Sequence, residues 1–229
     1  MRRLALPILA VLAAAPVASA QAVDYLETDG KLTSEDFYRL VACRALPGGP
    51  CTVEPVRWPR DRALDLAVDI APLPQGYSSD MAARMSGAID HAIAEINSAG
   101  AALHLRRAAK GERPDISLHL STVHEGDAIQ GTGVWGVDGQ VIGAALVTVW
   151  WDLGQDLTEA VIVMADDLPP SDVGPVVLEE LTQAMGLMTD IRNPAYDGVS
   201  VFSEDSNTVL RLGAQDKEAL RRHYPPEEP

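Results

Sequence analysis

Two periods run through the hydrophobic and polar positions of this chain. From Leu64 to Ile70, Leu64, Leu66, Val68 and Ile70 alternate with Asp65, Ala67 and Asp69, the period-two pattern of a half-buried strand. "DISLHL" repeats it with Ile116, Leu118 and Leu120 on one face. Between these runs Met81, Met85, Ile89, Ile93 and Ile96 recur at helical spacing, which predicts a helix over 79–99 ended by Gly100. The β-branched runs "VIGAALVTVWW" and "EAVIVMA" predict two further strands, and the stretch from Gly131 to Gly143 predicts a loop or hairpin. "DLPPSD" then breaks the chain before a second helix containing "VVLEELTQAMGL", Val176 to Leu187. A last short helix, "LGAQDKEALRRHY", is expected to pack Leu212, Leu220 and Tyr224. Near the front, "LTSEDFYRLVAC" opens on a capping box, Thr33 as N-cap with Asp36 three residues on, and Leu32 and Phe37 can staple across it. With no repeat and no low-complexity linker, the order predicts one α+β domain, a sheet with helices packed on one side.

The first 20 residues stand apart from this pattern. Arg2 and Arg3, an apolar run and "ASA" at Ala18–Ala20 make a secretory signal peptide, with cleavage expected after Ala20. The run is shorter than the about 20 residues of a membrane span. The expected destination is periplasmic or secreted. The expected organisation is residues 1–20 as signal, 21–57 as an N-terminal extension, and 58–229 as the main domain. Without Arg2 and Arg3 the chain keeps 16 basic against 33 acidic residues. A surface of that sign repels nucleic acid and anionic lipid, so neither is an expected partner. Two cysteines, Cys43 and Cys51, flank a Pro/Gly turn. In an exported chain they read as a disulfide stapling the extension. Metal-ligating thiolates are the alternative, but no CxxC or nearby histidine completes a four-ligand set.

Candidate chemistry concentrates in "VVLEELTQAMGL". On a helix Glu179 and Gln183 share a face, with Glu180 beside them. The string E-E-x-x-Q-x-x-G-L resembles H-E-x-x-H-x-x-G-L, in which two imidazoles hold zinc and the glutamate acts as general base. The flanks extend this likeness. Gly186 and Leu187 match the glycine turn, and "SVF" at Ser200–Phe202 matches the segment beneath the metal. Leu212, Asp216, Leu220 and Tyr224 match the closing helix, and "AIDHAIAEIN" with "DISLHL" matches the first half of the fold. Over about Trp58 to Tyr224 the chain resembles the metzincin-type, matrixin-like metallopeptidases. It is more closely similar to an uncharacterised family of secreted bacterial proteins, a domain of unknown function, sharing "LTSEDF", a tryptophan before the first strand and the "EELTQAMGL" core. The resemblance implies a zincin-like fold: a mixed twisted sheet, a long helix, an active-site-type helix and a C-terminal helix.

The departures decide the expected chemistry. Glu179 and Gln183 stand where the two zinc histidines belong, Thr189 occupies the third-ligand position with Asp190 one residue too late, and Phe202 replaces the methionine beneath the metal. One carboxylate and one neutral amide are a weak set for zinc, and calcium or magnesium wants six or more oxygens. No cofactor is expected. The reading is therefore a zincin-like protein that is not an active zinc peptidase, acting as a binding or envelope-associated module, its cleft holding an extended peptide or a segment of an envelope protein by strand addition. The alternative is a peptidase-like hydrolase with Glu180 as base and Glu179 or Gln183 assisting, metal-free or with an atypical metal. Consecutive helical residues diverge by about 100°, so Glu179 and Glu180 are not expected to form a close dyad, and Glu180 reads first as a packing residue. His119, His124 with Glu125 and Asp127, and Trp135, Trp150 and Trp151 are weaker candidates for a cleft lining. Neither a G-x-S-x-G elbow around Ser200 or Ser203 nor a phosphate-binding glycine loop occurs.

Overall fold

The computed structural model describes residues 25–226; the expected signal peptide lies outside them. In chain order the elements are β1 (Tyr25–Glu27), α1 (Ser34–Cys43), α2 (Arg60–Ala63), β2 (Leu66–Ile70), α3 (Ser79–Asn97), β3 (Leu105–Arg107), β4 (Ile116–Leu120), β5 (Ala145–Trp151), β6 (Leu157–Met164), α4 (Val173–Gln183), β7 (Asp190–Arg192) and α5 (Ala214–His223). Five strands form one mixed sheet in the order β3-β2-β4-β6-β5. Its first four strands are parallel, and β5 runs antiparallel to β6 at the edge. The short β1 and β7 pair parallel in a separate ribbon.

The period-3.6 signal sets one side of this sheet. Met85, Ile89, Ile93 and Ile96 of α3 and Val173, Val176, Val177 and Leu181 of α4 bury against Val68, Ile116, Leu118, Ile162 and Met164. On the other face the glycine-rich segment between β4 and β5 supplies a small core of its own, Ile129, Val137 and Ile142 over Val161 and Val163. Ser78 caps α3 by accepting from the Met81 amide, and Gly100 follows the helix at φ +78°. At the front, Thr33 accepts from the Asp36 amide as expected. The Asp36 carboxylate accepts from Thr33 Oγ1 and from the Gly48 amide, so it also fixes the cysteine loop. Cys43 and Cys51 are joined as a disulfide, with a Cα–Cα distance of 5.1 Å.

Two local expectations are corrected. The first predicted strand does not begin at Leu64: Arg60–Ala63 is a helical turn, Leu64 stays 49% exposed behind it, and the strand starts at Leu66. From Leu66 onward Leu66, Ala67 and Val68 are all buried, because β2 is an inner strand covered on both faces. The edge strand β3 was not expected at all. Its Leu-Arg-Arg sequence has no strand pattern; Arg106 is held by Asp65 and Glu112 at 2.6 and 2.7 Å.

The base of α4 is where the distant matches meet. The Trp58 indole donates to the Ala184 carbonyl at 3.0 Å, the Tyr224 hydroxyl donates to the Met185 carbonyl at 2.7 Å, and Tyr224 accepts from the Trp58 amide at 3.0 Å. Carbonyls at the end of a helix lack intrahelical donors, and these side chains supply them. Gly186 turns the chain there at φ +94°, and a Cβ on it would lie 2.0 Å from the Val56 carbonyl oxygen. Glycine is required both by the conformation and by this approach.

Candidate functional site

With its C-terminal end fixed, α4 presents Val176, Glu179, Glu180 and Gln183 to a cavity of ≈ 320 Å³. The opposite wall is formed by Gly143, Ala144, Ala145, Leu146 and Val147. Side chains alternate across a strand, so five consecutive lining residues mean that the backbone edge of β5 borders the space. Ladder pairing accounts for the β6 side of β5 only. Glu125, Met188, Asp190, Glu204 and Asn207 complete the lining.

The cavity gathers five carboxyl groups from distant parts of the chain: Glu125 between β4 and β5, Glu179 and Glu180 on α4, Asp190 on β7 and Glu204 beyond it. None of the lining side chains is basic. Arg192 reaches Glu204 at 3.0 Å and Asp205 at 3.3 Å. Glu179 is shifted by its surroundings. Burial, then the neighbouring carboxylates of Asp190, Glu180 and Glu204, push its carboxyl well above the ordinary range and favour its protonated form. Glu180 is only 7% exposed and lines the same cavity. The roughly 100° between these two residues therefore does not separate them, because the cavity spans that arc of the helix.

Gln183 is committed elsewhere. Its amide nitrogen donates to both carboxylate oxygens of Asp190, at 2.8 and 3.0 Å. Thr189, at the third-ligand position by count, is not among the lining residues but is buried, its amide donating to the Val41 carbonyl, whereas Asp190 lines the cavity. Thr189 lies just before β7 and Asp190 is its first residue.

Zinc does not fit these positions. One carboxyl group, an amide whose nitrogen donates to a carboxylate and a buried threonine lack the imidazole and thiolate donors that zinc favours. Among the described residues no group of three His, Cys, Asp or Glu side chains is arranged to hold a metal ion.

The weaker candidates separate. Glu125 joins the cavity, whereas His124 pairs with Asp166 at 3.2 Å and Asp127 is exposed. His119 lies 3.3 Å from Ser117 Oγ and lines a second cavity with Pro72, Pro74 and Thr132. Trp150 packs against the small second core, Trp135 is 83% exposed, and neither these two nor Trp151 lines the acidic cavity. Ser200 and Phe202 are structural: Ser200 Oγ donates to Asp216 at 2.6 Å and accepts from the Phe202 amide, and Phe202 packs on Phe37. Glu204 was missed; an acidic residue in an irregular loop carries no periodic signal. The chain matches no protein-family model and no curated protein.

Proposed function

We propose that the protein is an exported binding module on a zincin-like scaffold, which holds an extended peptide segment of a partner or envelope protein along β5 without zinc-dependent cleavage. One observation carries the proposal: the cavity lies between an edge strand and the helix bearing Glu179, Glu180 and Gln183, the place the metzincin resemblance gives to its substrate cleft. An open strand edge presents backbone donors and acceptors to an incoming strand. The disulfide accords with an oxidising destination. Peptide hydrolysis passes through an oxyanion, which needs hydrogen-bond donors around it. Here the Gln183 amide is engaged by Asp190, and the other charged side chains lining the space are carboxyls.

Hydrogen exchange with a panel of strand-forming peptides tests this reading. The expected result is slowed exchange in 143–151 when a peptide binds; binding that protects only other segments would sink it. A hydrolase reading keeps one observation in its favour, that Glu179, Glu180 and Gln183 open into a single cavity. It requires cleavage of a broad peptide library that Glu180→Ala abolishes while thermal stability is kept.

A further inference from the structure

The acidic cavity differs from a solvated run of charge in how it is built. Its carboxyl groups come from four separate chain segments and converge on one space beside β5. Glu179 is partly buried, its remaining surface opens into that space, and the charged groups acting on it are Asp190, Glu180 and Glu204, all acidic. No hydrogen bond from the described residues reaches its carboxyl group. Asp190 accepts from the Gln183 amide and Glu204 pairs with Arg192; Glu179 receives neither kind of contact, and a ligand with a positive charge and N–H donors supplies both. Among the described residues no three of these groups are arranged to hold a metal ion, whereas an ammonium or guanidinium can make single contacts with several carboxylates.

We infer that the cavity is the recognition pocket for a Lys or Arg side chain projecting from the extended peptide held on β5. The inference rests on the β5 reading above and specifies its partner: a segment with a basic residue at the position facing α4. Side chains of an added strand alternate, so one in two on the cavity side can drop toward Glu179 and Asp190 while the backbone pairs with 143–147. The pocket also selects against acidic and apolar side chains at that position, since neither brings Glu179 a positive charge or an N–H donor.

Three probes test the inference by titration calorimetry on the mature protein: a strand-forming peptide with one central lysine, the same peptide with norleucine there, and Nα-acetyl-lysine N-methylamide, which is too short to add a strand. The lysine peptide should bind about tenfold or more tightly than the norleucine peptide, and Glu179→Gln should remove most of that difference while the variant stays folded by circular dichroism. Equal binding of both peptides would overturn the cation pocket and leave strand addition standing. Binding of the short lysine amide alone, lost in Glu179→Gln, would keep the pocket and remove strand addition. No binding by any of the three would overturn both, and a lysine preference that Glu179→Gln leaves intact would overturn the pocket alone.

Discussion

Asp216 is a buried carboxyl group and Glu179 a partly buried one, and their surroundings are opposite. Asp216, near the start of α5, accepts from Ser200 Oγ at 2.6 Å, the Gly213 amide at 2.8 Å and the Val201 amide at 3.2 Å. Burial raises its pKa and these three donors work against the rise. Glu179 is met by other carboxyls, so burial and charge push in the same direction. The same chemical group thus serves structure in one place, where the fold provides the donors, and remains available to a ligand in the other. The criterion that separates the two is the sign of the neighbours, because burial is common to both.

The contrast can be broken most forcefully at Asp216. Asp216→Ala leaves the Val201 and Gly213 amides and the Ser200 hydroxyl without their acceptor, and urea denaturation should show a loss of about 3 kcal/mol; a loss below about 1 kcal/mol would mean that the cradle holds nothing together. Next in size is an acid limb from the same side of the molecule. His223 is buried, with one ring nitrogen 2.8 Å from the Val56 carbonyl and the other 3.4 Å from the Tyr38 hydroxyl. The carbonyl can only accept, so Nε2 carries the proton of a neutral ring and Nδ1 accepts from Tyr38. Burial lowers its pKa to about 4 from 6.5. Below 6.5 the unfolded chain takes up the proton first, so this contribution is complete above 6.5 and declines down to about pH 4, by about 3 kcal/mol in all. Denaturation midpoints across that range check it, and His223→Gln should flatten the slope.

Glu179 governs the opposite limb. A raised carboxyl pKa favours the folded state fully below the unfolded value, near 4.5, and that contribution is lost as pH rises through the folded value. Glu179→Gln should therefore match the wild type near pH 4 and become more stable than it as pH rises, by about 1 kcal/mol at neutrality. A constant difference at every pH would show that Glu179 is not held protonated. The smallest effect belongs to the neutral, exposed part of the lining: Asn207→Ala should change stability by less than about 0.5 kcal/mol.

Much of the frame was legible in the residues. Met85, Ile89, Ile93 and Ile96 defined α3, Thr33 defined the start of α1, and Gly186 marked a turn whose close approach to Val56 explains the glycine. Pattern failed where a tertiary contact replaced it. β3 is stabilised by Arg106 ion pairs from outside its own three residues, and Leu64 carried an alternation that a helical turn interrupts. For the site, Glu179, Glu180 and Gln183 could be placed on one helix, but their convergence with Glu125 and Glu204 depends on loop paths with no periodicity. Counting along a motif chose Thr189; the direction in which β7 leaves the Gly186 turn chose Asp190.

The β1–β7 ribbon has a consequence for the order in which the molecule can be completed. Tyr25, Leu26 and Glu27 pair with Asp190, Ile191 and Arg192, so the earliest described strand has its partner near the opposite end of the chain. Such a pairing closes a very long loop, a step whose entropic cost is offset only when the intervening sheet and helices have already drawn the two ends together. During synthesis β1 is the first of the described elements to emerge, and its partner strand β7 follows only after the sheet and α4. The carboxylate of Asp190 reaches its final position in that same late step, which makes the acidic cavity one of the last features to form.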